Sequence, residues 1–131
     1  MNNGPYKVYQ QQVQYYNETG NNNDPLTNYD KDLTNLIIKW TDYGDQVIVT
    51  INANVDISTD KKGTFRHTLK SIGLNELILS RHPNLYPPPT CNPGTKTIDG
   101  ISGTPAINIE KGEYAQFTGF SDHYLVWIDI R

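Results

Sequence analysis

The fold class predicted is all-β, an antiparallel β-sandwich of jelly-roll type. Three observations predict it: a long alternating stretch near the middle of the chain, turns marked by Gly and Pro at hairpin spacing, and the lack of a convincing long helix. Composition points the same way. Asn, Thr and Gly are abundant, there are nine Tyr, and only 19% of residues are charged. A chain of 131 residues fits one domain and can bury roughly two-thirds of its unfolded surface.

The first segment, "YKVYQQQVQYYNE", fits two patterns. Tyr6, Tyr9, Val13 and Tyr16 make a heptad-like helical stripe. Tyr9, Gln11, Val13 and Tyr15 also alternate as a strand would, and Tyr and Val favour strands. The strand has the edge. "TGNNNDPLTNYDKD" is expected to be a loop, since Gly, three Asn and Asp-Pro oppose regular structure.

"LTNLIIKW" reads as a strand with Leu36, Ile38 and Trp40 on one face and Ile37 on the other. "TDYGDQ" is a turn in which Gly44 is free to take positive φ. The next strand is the longest. Val47, Val49, Ile51, Ala53, Val55 and Ile57 line one face; Thr50, Asn52, Asn54 and Asp56 line the other. The two strands read as an antiparallel hairpin.

"TFRHTLKSIG" alternates through Phe65, His67 and Leu69, and "LNELILS" leans to strand. Six prolines between residues 83 and 105 prevent a helix and demote any strand to an edge. A connection of that length commonly carries function. "AINIEKGEYAQFTGF" is expected to be strand, Lys-Gly turn, strand, and "YLVWIDIR" the closing strand. Tyr124, Val126, Ile128 and Ile130 form one row there, with Leu125 and Trp127 opposite. That two-faced character calls for a cover, either a loop of the same chain or a neighbouring copy.

Charge and motifs narrow the function classes. A formal net charge of −3 argues against nucleic-acid binding, which needs a basic face. No run of 18 apolar residues exists to insert into a membrane, and the N-terminus lacks the apolar region of a secretory signal. One cysteine, Cys91, allows no internal disulfide. His67, His82 and His123 are scattered, and no H-E-x-x-H, C-x-x-C or G-x-S-x-G is present, so neither a metal nor a cofactor is expected. Asp122 beside His123 reads as a polar turn, since sequence neighbours rarely orient each other as a triad requires. Cys91 reads as a spare thiol. No carboxylate pair stands out among the 14 acidic residues, so glycosidase chemistry gains no support.

Binding leaves a clearer trace. Sugar recognition pairs an aromatic plate with planar polar groups for the hydroxyls. "SDHYLVW" supplies Asp122, His123, Tyr124 and Trp127; "SRHPNLY" supplies Arg81, His82 and Tyr86; "WTDYGD" supplies Trp40, Asp42, Tyr43 and Asp45. Trp40 fits the core better. Trp127, facing away from the Val126/Ile128 row, is the most telling. The expected ligand-binding set is Trp127, Asp122, His123, Tyr124, Arg81 and His82.

In block order, "IKWTDYGDQVIVTINANVDI", "HPNLYPPPT", "AINIEKGEYAQFTGF" and the final "YLVWIDIR" resemble the receptor-binding head of tail-fibre and baseplate proteins of phages that infect Gram-positive bacteria. The resemblance covers residues 33–131, with residues 1–32 as an N-terminal shoulder or arm. The usual glycine before Tyr86 and the preceding shaft are missing. The resemblance implies a homotrimeric, non-catalytic adhesion domain at the tail tip, outside the cell at the host surface. Its partners would be host cell-wall polysaccharide or teichoic acid and other tail or baseplate proteins. Avidity would compensate for weak single sites. The alternative is a structural tail protein without a glycan ligand.

Overall fold

The computed structural model describes residues 5–83, 85–115 and 121–131. It corrects the all-β expectation. The described residues are mixed α/β, with three α-helices, a three-stranded antiparallel sheet and a two-stranded antiparallel ribbon. It divides into two compact units, residues 1–37 and 38–131.

The first unit is helical. α1 spans Pro5–Glu18, so the heptad-like stripe prevails over the strand pattern. Val13 and Tyr16 are half-buried, whereas Tyr15 is exposed. α2 spans Pro25–Asp42, across the expected loop and the expected strand alike. Asp-Pro is the reason. The Asp24 carboxylate accepts from the backbone N–H of Leu26 (2.9 Å) and Thr27 (3.3 Å), and Pro25 stands at the first helical position, where its missing N–H costs nothing. Asp24 also accepts from the Tyr9 hydroxyl at 2.5 Å. The apolar run Leu36–Ile38 winds around a helix; only Ile37 is fully buried.

The end of α2 follows the sequence closely. Gly44 has φ +87°, its N–H donates to Thr41 O, and the Asp45 N–H donates to Trp40 O, both at 3.0 Å. Those are the two bonds of a Schellman cap. Trp40, expected in the core, is 40% exposed, and Tyr43 is more exposed still.

In the second unit β1 covers only Ile48–Asn52, and its partner is distant in sequence. β3 (Asp99–Gly103) lies between β1 and the short β2 (Asn75–Glu76). In register, Ile48 faces Gly103 and Asn52 faces Asp99. Gly100 belongs where it is because the Ile57 side chain occupies the space a Cβ would need. α3 (Phe65–Ser71) replaces the third expected strand. Thr64 caps it, its hydroxyl accepting from the His67 N–H at 3.2 Å, and that local bond outweighs a short alternation. The next segment is β2 followed by a 3₁₀ turn at Leu79–Arg81.

β4 (Ile109–Tyr114) runs straight through the expected Lys-Gly turn and pairs with β5 (Val126–Ile130). The second strand expected after that turn falls partly on residues 116–120, outside the described residues. Leu77, Ile78, Ile101 and Ile109 form the core, with Ile107, Tyr114, Val126 and Ile128 packed against them. The Val126/Ile128 row therefore finds its cover within the chain. Trp127 is half-buried opposite Glu113, and Leu125 remains 64% exposed.

Candidate functional site

The densest polar constellation forms where the start of β3 meets the segment before β5. Thr90 holds it together. Its side chain is fully buried, and its hydroxyl accepts from the N–H of Ile98 and of Asp99, each at 2.9 Å. Its carbonyl accepts from the Tyr124 N–H at 2.9 Å. One residue thus fixes the strand that carries Asp99 and the segment that carries His123. Two further contacts lock the register: a bridge between Cys91 and His123, and the Asn92 N–H donating to Asp122 O at 2.6 Å.

Held in this way, His123 Nδ1 lies 2.8 Å from Asp99 Oδ2. A carboxylate only accepts, so Nδ1 carries the proton and Nε2 keeps the lone pair of a neutral imidazole. The Asp99 hydrogen bond raises the imidazole pKa above its ordinary value, assisted by the charges of Asp99 and Asp122 and opposed by partial desolvation. The side chains are 31% and 15% exposed, so the pair is open to a solute. In physical terms it is a base oriented by a carboxylate.

Beside it lies a cleft of about 300 Å³, lined by Asp99 with Thr50, Asn52, Tyr124 and Val126 among others. Asn52 stands at the end of β1 directly across from Asp99. Its Oδ1 accepts from the Asn54 N–H at 3.1 Å, which leaves the amide nitrogen as a donor. Asn54, just past the strand, has φ +52°, a conformation in which Asn is among the few tolerated side chains.

Of the expected ligand-binding residues, Asp122, His123 and Tyr124 gather here. The others go elsewhere. Arg81 donates to the carbonyls of Ile109 and Glu110; it clasps β4. His82 Nε2 faces the Gly112 carbonyl at 3.1 Å and lines a separate cleft of about 250 Å³ with Tyr86, Pro87, Pro88 and Glu113. Trp127 belongs to the β4–β5 ribbon. His67 Nδ1 faces the Asp60 carbonyl at 2.9 Å, so His67 and His82 each satisfy a backbone group, away from His123. Asp122 and His123 do not orient each other; the orienting carboxylate comes from Asp99, 24 residues earlier.

Sequence reasoning missed Asp99, Asn52 and Thr90. A signal for Asn52 was present, because "INAN" places two amides side by side on the polar face of the alternating segment. For Asp99 there was none, since only β3 pairing brings it to His123.

Comparison with known proteins adds no assignment: no family model, no curated protein and no solved structure matches the chain. Among the described residues, no helix is long and apolar enough to cross a membrane.

Proposed function

We propose that the chain hydrolyses phosphodiesters, with His123 as the base that takes a proton from the attacking water and Asp99 as the group that orients it. The observation that carries this reading is the 2.8 Å His123–Asp99 pair, whose carboxylate residue also lines a cleft with Thr50, Asn52 and Tyr124. Water is the fitting nucleophile. Cys91 Sγ lies within 4.8 Å of a His123 ring nitrogen, but among the described residues no hydrogen bond joins them, so the imidazole does not activate the thiol in this arrangement. The oxygen–phosphorus bond forms as the ester bond breaks, the water proton passes to Nε2, and the leaving oxygen takes a proton from solvent.

The phosphodiester class rests on the donors. Asp99 and Asp122 disfavour an anionic ester by charge, so the substrate would have to arrive with a divalent cation that offsets that charge. The Asn52 amide offers a neutral donor to the oxygens on which charge develops. The test is turnover of bis(4-nitrophenyl) phosphate and of glycerophosphocholine, small diesters that need no basic binding face, in magnesium buffer. His123→Ala is expected to lower it by about 10²- to 10⁴-fold, the usual worth of a positioned base. No turnover of either substrate by the wild-type chain overturns the proposal.

A second reading is the adhesion role implied by the phage-head resemblance. It is favoured by one observation, the pairing of Tyr124 with Asn52, Thr50 and Asp99 in a shallow cleft, the mixture that saccharides use. Retention of host cell-wall polysaccharide without release of fragments, together with a homotrimeric mass, supports that reading against the first.

A further inference from the structure

We propose that Cys91, Asp122 and His123 form a binding site for a thiophilic divalent cation, with zinc the natural candidate. The thiol sulfur, a carboxylate oxygen and a ring nitrogen of these residues lie within 4.8 Å of one another. Donors around tetrahedral zinc stand about 3.5 Å apart, given metal–ligand lengths of about 2.0–2.3 Å. Rotation of the exposed Asp122 and half-buried Cys91 side chains would close that difference while His123 keeps its bond to Asp99. The backbone is already set by the Cys91–His123 bridge and the bond from Asn92 N–H to Asp122 O.

The surroundings match a metal site as well as the donors do. A ligating histidine usually gives its other ring N–H to a carboxylate, which fixes the tautomer and strengthens the ligand. Asp99 does this for His123 through Nδ1, leaving Nε2 for the cation. Sulfur and imidazole select zinc, cobalt or copper over magnesium. Three protein donors leave a fourth position for water. Bound zinc also takes the Nε2 lone pair that proton abstraction requires, so it is an inhibitor of the proposed hydrolysis. That consequence rests on the hydrolase reading; metal binding does not.

The experiment is a cobalt titration of the reduced full chain. One equivalent is expected to raise a near-ultraviolet thiolate-to-cobalt absorption, and Cys91→Ser is expected to abolish it while circular dichroism stays unchanged. In competition with a chromophoric chelator, Asp99→Asn is expected to weaken zinc binding by about 10- to 100-fold, the usual effect of removing an outer-shell carboxylate. Absence of the absorption overturns the site, as does a stoichiometry of one cation per two chains. So does equal zinc affinity in wild type, Cys91→Ser and Asp122→Asn. Binding without any phosphodiester turnover leaves the metal site standing and removes the hydrolase instead.

Discussion

Two carboxylates of the second unit each have a hydrogen-bonding side-chain partner, and their surroundings send them in opposite directions. Asp99 sits at a cleft and holds an imidazole that solvent reaches. Glu76, only 5% exposed, accepts from the Leu79 N–H and, at 3.5 Å, from the Tyr114 hydroxyl. Burial raises the pKa of Glu76 and, together with the Glu76 charge, pushes the Tyr114 phenol far above its ordinary range. The buried pair resists ionisation, because charge in an apolar interior costs more than a few hydrogen bonds return. The open pair makes the imidazole a stronger base, because the Asp99 hydrogen bond stabilises the imidazolium formed when it takes a proton. Accessibility makes the difference between a group that can exchange protons with a substrate and one that the fold merely tolerates.

The sharpest break in that comparison is Asp99→Asn. It should leave the fold intact and lower phosphodiester turnover by about 10²- to 10⁴-fold, since His123 loses its orientation and tautomer; steady-state kinetics with a matched melting curve checks it. Next in size is the core of the second unit. Ile78 is 1% exposed, and Ile78→Ala should cost about 2–5 kcal/mol in denaturant unfolding.

Glu76→Gln probes the buried partner through pH. Its folded pKa lies above the ordinary glutamate value because the carboxyl is buried, so the folded state holds its proton longer than the unfolded state does. The stability from this group is full below the unfolded pKa and is lost as pH rises through the raised folded pKa. Wild type should therefore lose melting temperature across that window relative to Glu76→Gln, by about 4 °C for each kcal/mol. Parallel curves would show that Glu76 titrates normally.

The smallest effect is expected at Asn54, whose φ of +52° suits glycine. Asn54→Gly should change stability by less than about 1 kcal/mol, and a fall in turnover without loss of stability would place its amide in the site.

Parts of this molecule are legible in the residues alone. The Gly44 turn and β5 follow from local chemistry. The Pro-rich connection does not hold to its expected edge role: its last part forms β3, the central strand of the three-stranded sheet, because residues 99–103 contain no proline and can pair on both sides. The helices were misread for an identifiable reason: Tyr- and Ile-rich segments satisfy period 2 and period 3.6 together over short windows. The deciding signals were the caps, Asp24-Pro25 and Thr64, which act over two or three residues. In the candidate site, Asp122, His123 and Tyr124 were visible as a polar cluster. Arg81, His82 and Trp127 were grouped with them by residue type, and pairing to β4 and β5 takes them elsewhere.

By itself the sequence determined where the backbone could bend and where it could not, since φ limits, missing N–H groups and capping oxygens act between neighbours along the chain. Tertiary structure alone decided which carboxylate meets His123. Asp99 is 24 positions away, and no local preference encodes that distance. It arises because β3 pairs with β1 and because buried Thr90 holds the start of that strand through its hydroxyl and the His123 segment through its carbonyl. Contacts between distant residues are selected by the burial of a shared core, and a core exists only once the chain has folded.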